Sequence, residues 1–139
     1  MGLSTQDPGP DGTLFLEPGK VSGQQDSVTY PEYLRVKINI PSRFDKHLPL
    51  LSQAEINDEG YAEVKNQDLI LFPEAVGKDK SGWGKITHFG LFYGTHDDPR
   101  YQIPFLWGAI NSADGSDGVD IGQYEVPVIH KEGLTISLQ

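Results

Sequence analysis

The sequence predicts an all-β fold, a small antiparallel β-sandwich of about six to eight strands. A small closed β-barrel is the alternative. Three observations carry this. Apolar and polar residues alternate strictly over 34–40 and again over 134–138, the period of a strand with one buried face. Sixteen glycines and ten prolines interrupt 139 residues, a density of breakers that suits short strands and turns. No window shows the 3.6-residue period of an amphipathic helix. The mass of 15.3 kDa is that of one domain, 1–139, and hydrophobic residues at 37%, with the glycines beside them, supply enough apolar material for a core.

Asp7-Pro8-Gly9-Pro10-Asp11-Gly12 reads as a run of turn formers. Residues 7–28 make a long loop, in which Leu14 and Leu16 mark one short extended piece. The first strong strand is 34–40, with Leu34, Val36, Ile38 and Ile40 inward, Arg35, Lys37 and Asn39 toward water, and Pro41 ending it. Residues 42–55 are ambiguous, since a helical turn over 48–54 would contain Pro49. Strands follow at 62–64 and 69–72, the second closed by Pro73, and then a loop that ends Ser81-Gly82-Trp83-Gly84.

Segment 86–93 is apolar on both alternating sets, as a strand covered on both faces would be. Gly90 within it marks a bulge or the close approach of another segment. A polar loop over 95–100 joins it to 101–110 as a hairpin, with Pro104, which cannot donate to a ladder, at an edge or bulge. A Gly/Asp/Ser loop fills 111–120. Strands at 124–129 and 134–138 follow, the latter with Leu134, Ile136 and Leu138 inward.

Eleven Lys and Arg stand against twenty Asp and Glu, a net charge of −9, and no local basic patch relieves it. Nucleic acid and anionic membrane surfaces are therefore excluded as partners. The absence of cysteine excludes a disulfide scaffold, thiolate-bound zinc, an iron–sulfur cluster and a thiol nucleophile. No apolar run approaches the ~20 residues that cross a bilayer, so no membrane insertion is expected. The first residues show no signal-peptide pattern. There is no nucleophile elbow, phosphate loop or His-Glu-x-x-His, so the chain reads as non-enzymatic and without a cofactor.

The candidate ligand contacts are few. His88 reads as a core histidine, because no second ligand stands two or four residues away. His96-Asp97-Asp98 carries ligand-type side chains, but Pro99 beside them suits a solvated hairpin tip. Asp114, Asp117 and Asp120 invite a calcium reading, yet their spacing of three and the lack of a closing Glu do not fit the EF-hand loop. Tyr93, Tyr101, Phe105 and Trp107 form either a sugar-stacking platform or, as alternating aromatics more often do, part of the core. Trp83, flanked by glycines, is the better exposed candidate, unless it plugs the end of a sandwich.

The C-terminal half has an order of its own: Phe72-Pro73-Glu74-Ala75, then Trp83-Gly84-Lys85-Ile86-Thr87-His88-Phe89-Gly90-Leu91-Phe92, then Phe105-Leu106-Trp107-Gly108-Ala109-Ile110, Val119-Asp120-Ile121-Gly122 and Gly133-Leu134-Thr135-Ile136-Ser137-Leu138. This resembles a family of small tailed-bacteriophage virion proteins, labelled tail fibre or minor tail proteins. Gly2-Leu3-Ser4-Thr5-Gln6-Asp7-Pro8 and Tyr33-Leu34-Arg35-Val36 are similar to earlier parts of the same pattern. The family pattern also carries a helical segment ahead of the Gly-Leu-Ser strand, which this sequence does not contain.

The resemblance implies a structural component of a tailed-phage particle, of the tail or tail fibre, acting through protein–protein contacts, made in the bacterial host cytoplasm and located in the virion. Its partners would be other virion proteins and copies of itself. Scaffold roles are expected for Gly90, Phe92, Trp107 and Gly108 in the hairpin and for Leu134, Ile136 and Leu138 in the closing strand. Two alternatives stand beside this: a head-decoration protein, and a module that binds host-surface glycan through Trp83, His96, Asp97, Asp114 and Asp117. The opening strand is expected to leave a sheet edge open to a neighbouring chain, and a partner is expected to cover part of 86–93.

Overall fold

The computed structural model describes residues 1–21, 30–94 and 98–138. The chain is all-β. Among the described residues ten short strands follow in order: β1 (Gly2–Ser4), β2 (Glu55–Ile56), β3 (Ala62–Lys65), β4 (Ile70–Leu71), β5 (Gly84–Ile86), β6 (His88–Leu91), β7 (Leu106–Ala109), β8 (Val119–Ile121), β9 (Val128–Ile129) and β10 (Thr135–Leu138). They form four antiparallel sheets, β1-β6-β7, β10-β3-β2, β4-β9 and β5-β8, none closed into a barrel. The strands are shorter than the alternation suggested because turn residues cut each one within a few positions. The chain packs as two compact units. Unit 1 is Met1–Arg35 with Pro73–Pro127, and unit 2 is Val36–Phe72 with Val128–Gln139.

In unit 1 the expected hairpin forms as β6 and β7, with Gly90 opposite Trp107. Pro104 lies ahead of β7, so its missing N–H costs no ladder bond. Gly90 is buried without a left-handed φ. A Cβ there would stand 2.6 Å from Phe15 Cε2 and 3.0 Å from Pro104 Cβ, so close approach, not a bulge, is its role. Phe15 meets the Phe92 ring edge-on at 5.1 Å. Around Gly90 and Phe92, segment 86–93 is thus covered from within unit 1, through Phe15 and Pro104.

β1 is likewise no open edge. Met1, Leu3 and Ser4 are buried. Beyond its ladder to β6, the Leu3 N–H donates to the Tyr33 hydroxyl at 2.8 Å, the Leu16 N–H to Ser4 Oγ at 3.0 Å and the Thr5 N–H to the Leu16 carbonyl at 2.9 Å. The expected N-terminal contact with a neighbour is therefore corrected: residues 14–16 and Tyr33 of the same unit close that edge. Burial, reinforced by the Glu17 carboxylate, pushes the Tyr33 phenol well above its ordinary range, so it stays neutral. Removing residues 1–6 exposes that core and is expected to cost about 3 kcal/mol or more from Met1 and Leu3 alone, roughly 10 °C in melting temperature. Calorimetry of the shortened chain checks this, and a melt within a degree or two of the parent would refute it.

The strand expected at 34–40 does not form. Over 33–35 the parity is opposite to the one expected, with Leu34 64% exposed, Tyr33 buried and Arg35 half-buried; over 36–39 Val36 and Ile38 are half-buried and Lys37 and Asn39 exposed, as expected. The reason is the Arg35 side chain. Its guanidinium lies 3.6 Å over the Phe92 ring and 4.1 Å from the Tyr101 ring centroid, and it pairs with the buried Glu17 carboxylate. Cation–π contact and a charge partner hold a residue inside that polarity alone assigns to water.

Unit 2 carries the sheet β10-β3-β2. Ile136 stands opposite Val64, and Leu138 opposite Ala62, which in turn faces Ile56. Leu134 is buried and Ile136 half-buried as expected, but Leu138 is 73% exposed. It stands at the end of the sheet in one row with half-buried Ala62 and with Ile56, which is 72% exposed. The strand expected over 124–129 is confined to β9; Tyr124 instead has a left-handed φ of 64° in a turn, with its N–H on the Ala75 carbonyl. Residues 42–55 hold no helical turn: Pro41 bridges Pro49, Leu51 bridges Asn66, and β2 begins at Glu55.

The polar centre of unit 2 is Asn66, with no exposed surface. Its Nδ2 donates to the carbonyls of Asp68 and His130, both at 2.8 Å, and its Oδ1 accepts the Leu134 N–H at 2.8 Å. Its backbone N–H reaches the Leu134 carbonyl and its carbonyl accepts the Glu132 N–H. One side chain thus ties the turn before β10 to the end of β3.

Candidate functional site

Trp83 is 4% exposed, which corrects its assignment as an exposed ligand contact. Its ring meets Tyr33 edge-on at 5.2 Å, and its indole N–H donates to Glu32 Oε1 at 3.0 Å. The same oxygen accepts the N–H groups of Val76 and Gly77. Gly77 has a φ of 71°, and a Cβ there would stand 1.8 Å from the Gly82 carbonyl oxygen, so the turn admits only glycine. Burial alone would raise the Glu32 pKa. The Gly77, Trp83 and Val76 donors outweigh it and hold the group below the ordinary glutamate value.

Ionised Glu32 therefore stabilises the fold above the free-glutamate pKa of ~4.3, and that contribution is lost as pH falls through the lower folded value. Glu32→Gln is expected to melt below the parent near pH 7, with the gap narrowing toward about pH 3. A gap that stays constant across a pH series of melts would show that the carboxylate charge is not what holds the turn.

Among the loop candidates, His96 and Asp97 lie outside the described residues. Asp98, next to them, caps the turn Pro99–Tyr101 through the Arg100 N–H and holds the Arg100 guanidinium at 2.7 Å. Asp114 Oδ1 accepts from the Ser112 hydroxyl, from the Ser116 hydroxyl at 2.7 Å and from the Ser116 N–H at 2.9 Å. These bonds, the Ser112 hydroxyl first, hold its pKa well below the usual carboxylate range. Asp117 bridges Asn111 across the same loop. Asp114 is thus engaged in closing its own turn, and among the described residues no three His, Asp or Glu side chains gather around one point. His88 is half-buried with Nδ1 2.9 Å from the Thr87 hydroxyl.

The four aromatics do not make one platform. Tyr101 lies beside Arg35 and Phe92, and Trp107 is half-buried opposite Gly90. Gly108 packs against the Phe89 ring, where a Cβ would stand 2.9 Å from Cε1. Tyr93 and Phe105 do pair, with ring centroids 4.1 Å apart and planes at 26°, and both are about half exposed. That pair offers a flat apolar surface to a partner side chain or a sugar ring.

Unit 2 carries an open polar cleft of about 370 Å³, walled in part by Glu55, Asp58, Glu63, Lys65, Lys131 and Glu132. Lys65 Nζ lies 2.8 Å from Glu63 Oε1, and Asn57 Nδ2 donates to the other oxygen at 3.2 Å. The Lys65 bond, then the Asn57 bond, lowers the Glu63 pKa, and Glu63 raises that of Lys65. Both shifts move away from neutrality, opposite to what a proton-transfer group at neutral pH requires. The cleft is a salt-bridged depression. Glu32, Asn66 and the Ile56 row were not singled out from sequence, because their roles come from partners distant in the chain. Compared with known proteins, the chain matches no family model, and neither a curated protein nor a solved structure matches it.

Proposed function

We propose that the chain is a non-enzymatic structural component of a tailed-phage particle, of the tail or tail fibre, working through protein–protein contacts. What supports this is the ordered set of segments that resembles the small virion proteins, taken with apolar side chains left at the surface: Ile56 and Leu138 in unit 2, Tyr93 and Phe105 in unit 1. These side chains are where contacts with other virion proteins would form. Locating the gene among its neighbours and labelling purified particles with antibody tests it. Label on the tail is expected; particles without the protein would refute it.

The stacked pair Tyr93–Phe105 favours a second reading, a module that binds host-surface glycan. Binding of the purified chain to host cells that is lost in Tyr93→Ala and Phe105→Ala variants would select that reading over the first.

A further inference from the structure

We infer that β10 pairs edge to edge with β10 of a second copy of this chain, antiparallel about a two-fold axis through Ile136. The inference starts from which backbone groups of β10 are already used. The Asn66 N–H donates to the Leu134 carbonyl, so Leu134 and Asn66 form a hydrogen-bonded pair. One step on, Lys65 is turned the other way. Its N–H donates to Ser52 Oγ, and its carbonyl accepts the Ser52 N–H. Antiparallel ladders alternate between bonded and non-bonded pairs. Ile136 and Leu138 therefore bond to β3, while Thr135 and Ser137 turn their N–H and C=O groups outward.

β10 is the outer strand of its sheet, and no backbone group among the described residues meets those of Thr135 and Ser137. Both residues are exposed. Sheet edges kept single are blunted by shortness, charge, proline or a bulge; Thr135-Ile136-Ser137-Leu138 has no charge, no proline and no bulge, and is limited only by its length of four residues.

A second copy is the occupant that fits. With the axis at Ile136, Thr135 of each copy faces Ser137 of the other, and the four outward N–H and C=O pairs of the two strands satisfy one another. Ile136 meets its own counterpart, and exposed Leu138 comes beside Leu134 of the second copy. Charge favours this edge over the other. β10 itself is uncharged in a chain of net charge −9, whereas the opposite edge strand, β2, presents Glu55, so two copies meeting there would bring carboxylates together.

The pairing names one contact of the assembly proposed above, but its geometry does not depend on a virion setting. The chain has no cysteine, so single-cysteine variants report cleanly. The Ile136 pair would be non-bonded, with Cα atoms about 4.5 Å apart, within disulfide reach. Ile136→Cys is expected to form a disulfide dimer about tenfold faster than Glu59→Cys, placed on an exposed turn outside β10. In sedimentation of the cysteine-free chain, a concentration-dependent dimer is expected. Ser137→Pro, which removes an outward N–H and no bond to β3, should weaken it by about tenfold or more, and Ser137→Ala should leave it unchanged. Ile136→Cys cross-linking no faster than the control, or a dimer indifferent to Ser137→Pro, would overturn the pairing. A monomer found in particles removes the pairing and keeps the virion role; a dimer absent from particles does the reverse.

Discussion

Asn66→Ala is expected to unfold unit 2. The substitution deletes an amide that makes three hydrogen bonds in a fully buried position. It leaves the carbonyls of Asp68 and His130 and the N–H of Leu134 without partners. Each such group costs about 1–3 kcal/mol when left unsatisfied, and the sum approaches the whole stability of a small domain, about 5–15 kcal/mol. Asn66→Asp does not rescue it: the carboxylate still accepts from Leu134 but offers no donor to the two carbonyls, and it buries a charge. Hydrogen exchange is the measurement. Amides of β3 and β10 are expected to lose protection in both variants, and protection equal to the parent's would show that water replaces the amide without cost.

Gly90→Leu is expected to be nearly as damaging, in unit 1. The first carbon of any side chain there already stands 2.6 Å from Phe15 Cε2. Phe15 is held edge-on to Phe92 and cannot swing aside freely. Overpacking of this kind costs about 1–3 kcal/mol and rises with side-chain size, so Gly90→Ala should fall between the parent and Gly90→Leu in melting temperature. The φ of Gly90 is not left-handed, so the penalty is steric alone. Phe15→Ala should therefore make Gly90→Ala nearly harmless, a coupling that a double-mutant cycle measures. Additive losses would place the penalty at Pro104 instead, whose Cβ would stand 3.0 Å away.

These two residues also show what could be read in advance. Gly90 stood out from sequence, because a glycine amid residues apolar on both alternating sets signals close approach. The hairpin was legible because its two strands are near in the chain, and the closing strand because its side chains alternate; β3 and β4 showed as short apolar runs, although their partners β10 and β9 lie far along the chain. Asn66 gave no signal. A single amide after a short strand looks like any turn residue until segments 64 and 68 positions away close on it. Arg35 misled for a related reason. Alternation assigns charge to water, and only aromatic rings from distant segments together with Glu17 reverse that. The ligand candidates at Trp83 and Asp114 were chosen by residue type, and the fold uses both to hold turns.

Each unit is assembled from stretches separated along the chain. For unit 2 this sets an order of events during synthesis. Residues 36–72 leave the ribosome well before 128–138, and β3 must wait for β10, as β4 waits for β9. Until then Asn66 is hydrated and Leu134, which fills the core, does not yet exist. The unit closes in one late step dominated by contacts of high sequence separation, which is the slow regime of folding. A nascent chain held at that stage displays exposed strand segments, the kind of intermediate that aggregates or engages chaperones.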